Sequence, residues 1–94
     1  MSQAEAMAIE LRASDVSGQR SVRAPSVPGD MTIGELVAGL LAKMGLARND
    51  AAGRPLHYRA RLERGARHLD GTERVGTSLR EGDHLVLQPN IDAG

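Results

Sequence analysis

Apolar and polar positions along the chain fall into six periodic segments separated by turn-forming residues. In "MAIELRA" (7–13), Met7, Ile9 and Leu11 alternate with Glu10 and Arg12, which predicts a half-buried strand. "SDVSGQ" supplies a turn around Gly18, and "RSVRA" (20–24) predicts a second strand that forms a hairpin with the first and is closed by Pro25 and Pro28.

The period then changes. In "TIGELVAGLLAKMGL" (32–46), Ile33, Leu36, Val37, Leu40, Leu41 and Met44 make one apolar stripe at the helical repeat. Thr32 and Glu35 have the T-x-x-E spacing of a capping box, in which each side chain satisfies an amide at the other's position. Gly45 stands where a left-handed C-cap belongs. After the loop "ARNDAAGRP", "LHYRARL" (56–62) returns to strict alternation, with Leu56, Tyr58, Ala60 and Leu62 inward and His57, Arg59 and Arg61 outward. "ARHL" (66–69) predicts a short strand ended by Asp70-Gly71. Residues 72–80 read as irregular, with Val75 and Leu79 as plugs, and "REGD" turns into a last strand, "HLVLQ" (84–88), with Leu85 and Leu87 inward.

Two hairpin strands, one amphipathic helix and three further strands define an α+β fold, since one helix covers one face of one sheet. The order permits a β-grasp: a mixed sheet of four to five strands, with the first and last strands parallel at its centre and the helix packed across them. Residues 1–6 read as a disordered N-terminus, 7–88 as the domain and 89–94 as a flexible tail, because Pro89 cannot donate to a sheet.

Composition narrows the chemistry. At 94 residues the chain makes one small domain, and its core has no Phe or Trp to draw on. Without cysteine there is no disulfide, thiolate metal site or thiol nucleophile. The formal charge is zero and no N-terminal leader pattern is visible, which points to a cytoplasmic protein with neither nucleic acid nor membrane as partner. His57, His68 and His84 fall on separate strands, so no metal is expected. "GTERVGTS" (71–78) lacks the lysine of a phosphate loop, and no nucleophile–base set is visible, so an enzyme is not expected.

Several of these residues resemble the ubiquitin-like family. "HLVL" at 84–87 is the string ubiquitin carries in its last strand, Thr32-Ile33 opens the helix as in ubiquitin, and Leu69 precedes an Asp-Gly turn as it does there. "YRARLERGARHLDG" followed by "SLREGDHLVL" looks like the bacterial branch of the superfamily. The resemblance implies a protein modifier. An activating enzyme using MgATP would adenylate the C-terminal carboxylate of Gly94 and pass it to a target protein, with a conjugating enzyme and a metalloprotease isopeptidase as further partners; the chain itself would hold no cofactor. Ile91, Asp92 and Ala93 would be the arm read by the activating enzyme, and Ala93 departs from the usual Gly-Gly ending. A sulfur carrier for cofactor synthesis and a non-conjugated β-grasp adaptor, as in type VII secretion, are the alternatives.

Two surfaces are expected to matter. His57, Arg59, Arg61, His84 and Val86 would form an exposed sheet face that docks an acidic partner, where ubiquitin has an apolar patch. Gly34, Ala38 and Ala42 repeat every four residues on the outer face of the helix, a spacing that permits self-association as a homo-oligomer; Ala- and Gly-rich coding is the competing explanation.

Overall fold

A computed structural model describes residues 8–90. The element order is β1 (Ile9–Asp15), β2 (Ser21–Val27), α1 (Ile33–Met44), β3 (His57–Leu62), β4 (Arg67–His68), α2 (Val75–Ser78) and β5 (His84–Asn90). The strands form one sheet in the order β2-β1-β5-β3-β4. β1 and β5 are parallel at its centre, with Ala13 opposite Leu85 and Asp15 opposite Leu87, and the other neighbours are antiparallel. This is the β-grasp expected from the sequence.

The helix starts and stops for the reasons its sequence gives. Thr32 Oγ1 accepts from the Glu35 N–H at 3.1 Å, and Glu35 Oε1 accepts from the Thr32 N–H at 3.0 Å. The other two N-terminal amides are satisfied from a distance: the Ile33 N–H donates to Glu73 O (2.8 Å) and the Gly34 N–H to Gly71 O (2.9 Å). The 71–74 segment therefore works as a second cap. At the far end Gly45 takes a left-handed φ of 68°. The Leu46 N–H closes back to Leu41 O, and the Arg20 guanidinium donates to Met44 O and Gly45 O at 3.1 and 2.9 Å, a cation placed at the negative end of the helix.

The core lies between α1 and one face of the sheet. Ile33, Leu36, Val37, Leu40 and Met44 pack on Leu11, Ala13, Ala60, Leu62, Leu85 and Leu87, with Val27, Leu69, Val75 and Leu79 closing its ends. Each fully buried aliphatic side chain is worth about 1.5–3 kcal/mol of transfer free energy, and Leu85, Leu87 and Val75 are at 0% exposure. Leu41 lies on the flank of the stripe and is half-buried. Tyr58 is also half-buried, and its hydroxyl donates to Ala47 O at 2.6 Å. Met7, expected in β1, falls outside the described residues.

The strands run further than the prolines suggested. β2 continues through Pro25 to Val27, because β2 is an edge strand and Pro25 sits at a bulge: Ile9 opposes Val27, but Leu11 opposes Ala24. β5 likewise continues through Pro89 to Asn90 instead of stopping at Gln88. The Asp83 carbonyl accepts from Arg12 of β1, so odd-numbered residues of β5 point their backbone groups toward β1, and even-numbered ones toward β3. Pro89 therefore lacks a donor only on the β1 side, where pairing has already ended at Asp15–Leu87. β1 also reaches Asp15, into residues read as turn, and residues 75–78 of the stretch read as irregular form the short helix α2. Among the described residues no helix is long and apolar enough to cross a membrane.

Candidate functional site: the open face of the sheet

Alternation sends one set of side chains toward α1 and the other to the opposite face. Register then decides which of the latter are neighbours. On β5, His84, Val86 and Gln88 point to the open face. Arg61 lies opposite Val86, Arg59 opposite Gln88 and His68 opposite Arg61; across β1, Arg12 lies opposite His84 and Ser14 opposite Val86. The five residues expected on this face, His57, Arg59, Arg61, His84 and Val86, are thus brought onto one surface. His57 and Arg59 are exposed; Arg61, His84 and Val86 are half-buried.

Residues that sequence reasoning did not assign to this surface complete it. Ser14, only 7% exposed, shares a 2.8 Å hydrogen bond with His84 Nε2. His68 Nε2 shares one of 3.0 Å with Gln88 Oε1. Arg12 was legible as outward-facing from its alternation, but its place beside His84 follows only from the parallel β1–β5 register. Arg23 reaches the same face opposite Arg12 and pairs with Glu10 at 3.0 Å.

The electrostatic character is basic with local neutralisation. Arg61 binds Glu63 at 2.7 Å. Arg12 and Arg59 have no ion-pair partner among the described residues. A surface of this kind attracts acidic groups. Among the described residues no group of three His, Cys, Asp or Glu side chains is placed to hold a metal ion.

Asp83 fixes the turn that delivers β5. Only 8% of its side chain is exposed. It accepts from Arg64 Nε and Nη2 at 3.0 and 2.9 Å and from the Arg80 N–H at 2.7 Å. The Arg64 guanidinium first, then the Arg80 amide, hold its carboxyl below the usual range for an aspartate, against the opposing effect of burial. Arg64, just past β3, is thus held by Asp83 at the turn and does not join the open face.

On the helix, Gly34, Ala38 and Ala42 are exposed as expected, but the close approach at Gly34 is made within the chain. A Cβ there would lie 3.3 Å from Gly71 O. The small residue at 34 is accounted for by the 70–71 turn. Lys43 is exposed, and its Nζ donates to Arg23 O at 3.2 Å. The expectations for Ile91, Asp92, Ala93 and Gly94, and for residues 1–6, lie outside the described residues.

No family model and no curated protein matches the chain. Solved structures do. A ubiquitin from Caldiarchaeum subterraneum is similar at a TM-score of 0.62 and 20% identity, over 93% of this chain and 99% of that one. The C-terminal ubiquitin-like domain of mouse tubulin-specific chaperone e is similar at a TM-score of 0.60 and 15% identity, over 100% of this chain and 96% of that one. A chain of the ESX-5 inner membrane complex is similar at a TM-score of 0.60 and 18% identity, over 94% of this chain but 22% of that one. The fold is the ubiquitin-like β-grasp.

Proposed function

We propose that the chain is a ubiquitin-like protein modifier of a bacterial conjugation pathway. In this reading the Gly94 carboxylate attacks the α-phosphorus of MgATP on an activating enzyme, giving an acyl-adenylate and releasing pyrophosphate. A cysteine thiolate of the enzyme then displaces AMP, and an amine of the target takes the acyl group from the thioester. Ile91, Asp92 and Ala93 are the arm that the activating enzyme reads, and a conjugating enzyme and a metalloprotease isopeptidase act before and after attachment to the target. His57, Arg59, Arg61, His84 and Val86 dock an acidic surface of the activating enzyme.

The observation that carries this reading is how β5 ends. Leu87 is its last residue with a partner on both sides, and Gln88 to Asn90 are held by β3 alone, with Pro89 giving no donor toward β1. The last described residues of β5 are thus held on one side only, after two fully buried leucines and next to a basic face. Fold-level similarity to an archaeal ubiquitin along nearly its whole length supports the same reading.

The test is pyrophosphate release from MgATP by the activating enzyme, with the full chain and with Gly94 deleted. Release with the full chain and its loss on deletion is expected. Equal release from both would sink the reading. The adaptor alternative has its own supporting observation in the ESX-5 similarity, where the matching region is about a fifth of a larger chain; it requires docking that is indifferent to Gly94.

A further inference from the structure

The sheet has a gap on its β3 edge. β4 pairs only with Arg61 and Leu62, and the Leu69 N–H adds one bond to Ala60 O. The chain then leaves, because the helix N-terminus takes the Gly71 carbonyl at 2.9 Å. The Glu63 N–H bonds His84 O in β5, so odd-numbered residues of β3 face β5 and even-numbered ones face the edge. The N–H and C=O of Tyr58 therefore point outward, to where β4 has already ended, and no described residue hydrogen-bonds them. The edge opens into a recess of about 550 Å³. Ile33, Gly34 and Val37 line it on the helix side; His57, Arg59 and His68 line it on the open side.

The opposite edge also borders a recess against α1, of about 180 Å³ and lined by Val27, Met31, Leu36 and Leu40, but it is a poorer template for an added strand. β2 is interrupted by Pro25 and by the bulge between Ile9 and Leu11, both of which discourage strand pairing.

From this gap we infer a second docking site, in which an extended segment of a partner protein adds to β3 antiparallel, in line with β4. The residue opposite Tyr58 exchanges two backbone hydrogen bonds with it and turns its side chain toward Ile33 and Val37, where Gly34 has no Cβ to obstruct it. That residue is small and apolar. Its two neighbours lie opposite His57 and Arg59 and turn to the open face, where Arg59, without an ion-pair partner among the described residues, favours carboxylates. The acid in the lining, Asp70, has one carboxylate oxygen taken by the Thr72 N–H and hydroxyl at 2.9 and 2.8 Å. The segment thus reads acidic, small apolar, acidic. A second copy of this chain fits poorly, since pairing two β3 edges about Tyr58 sets His57 of each against Arg59 of the other. This site does not depend on Gly94.

The probe is the capped peptide Ser-Asp-Val-Asp-Ser, titrated into the full isotope-labelled chain and followed by amide NMR. Saturable shifts centred on Tyr58, Arg59, Ala60 and Leu69 are expected. Methylating the valine amide nitrogen removes the donor to Tyr58 O and should weaken binding by about tenfold or more, as should Arg59→Glu in the protein. No saturable shift, equal binding of the methylated peptide, shifts centred on Ser21–Val27, or a peptide-independent dimer through β3 seen by light scattering would each overturn the inference.

Discussion

The two faces of the sheet share strands and differ in alternate residues. On β5, Leu85 and Leu87 are fully buried beneath α1, while His84, Val86 and Gln88, one residue away in each case, face the open side among Arg12, Arg59 and Arg61. The helix face is closed and apolar, and its residues are constrained by volume. The open face is basic and half-buried, and its residues are constrained mainly by charge. Stability should therefore be concentrated on one face and partner selection on the other.

The strongest way to break the comparison is Leu87→Ala. It leaves a cavity between β5 and α1 and should cost about 2–5 kcal/mol, read as a lower urea midpoint. A loss below about 1 kcal/mol would mean that the core collapses freely around β5 and that the faces are less distinct than their burial indicates. Next is Thr32→Ala, which removes the side-chain acceptor for the Glu35 amide and should cost about 1 kcal/mol, with Thr32→Ser restoring most of it. Equal stability of all three would show that the Thr32 hydroxyl adds nothing to the caps supplied by Glu35 and the 71–74 segment.

A third test uses pH on the helix side of the sheet. Glu73 accepts from Arg67, Ser78 and the Asp70 amide, and these, Arg67 foremost, pull its carboxyl down from 4.5 to about 2. A depressed folded-state value stabilises the fold above the ordinary value, and that contribution is lost as pH falls from about 4.5 through about 2. Glu73→Gln should therefore lie below the parent in urea stability at pH 6 and converge with it toward pH 2. A gap that stays constant with pH would assign the loss to packing. The smallest effect is expected from Arg59→Glu, which should leave stability within about 0.5 kcal/mol because the side chain is exposed and has no ion-pair partner among the described residues. The same change should weaken docking of an acidic activating enzyme, read as a higher KM for the chain in pyrophosphate release. Unchanged KM would leave the open face without the role proposed for it.

Much of this architecture was legible in the chain. The capping box, the stripe from Ile33 to Met44 and Gly45 are local signals, and each appears at its predicted residue. Strand periodicity assigned Leu11, Ala60, Leu62, Leu85 and Leu87 to the core and His57, Arg59 and Arg61 to the outside. The prolines misled in both places, because Pro25 sits at a bulge of an edge strand and the missing N–H of Pro89 faces β1 where pairing has ended, and both follow from register. The role of Arg64 was not legible for a related reason, since its carboxylate partner Asp83 is 19 positions away in sequence.

Local periodicity by itself placed α1 and the strands and the apolar side of each, because both depend on neighbours within a few positions; the ends of β1, β2 and β5 and the helix α2 were not legible in it. The tertiary structure alone decided the rest. It set the β2-β1-β5-β3-β4 order, the pairing of Ser14 with His84 and of Arg64 with Asp83, the capping of α1 by Gly71 and Glu73, and the unpaired edge at Tyr58. These are contacts between distant segments, fixed by hydrogen-bond register and by how α1 closes the core, and no local pattern in the sequence encodes them.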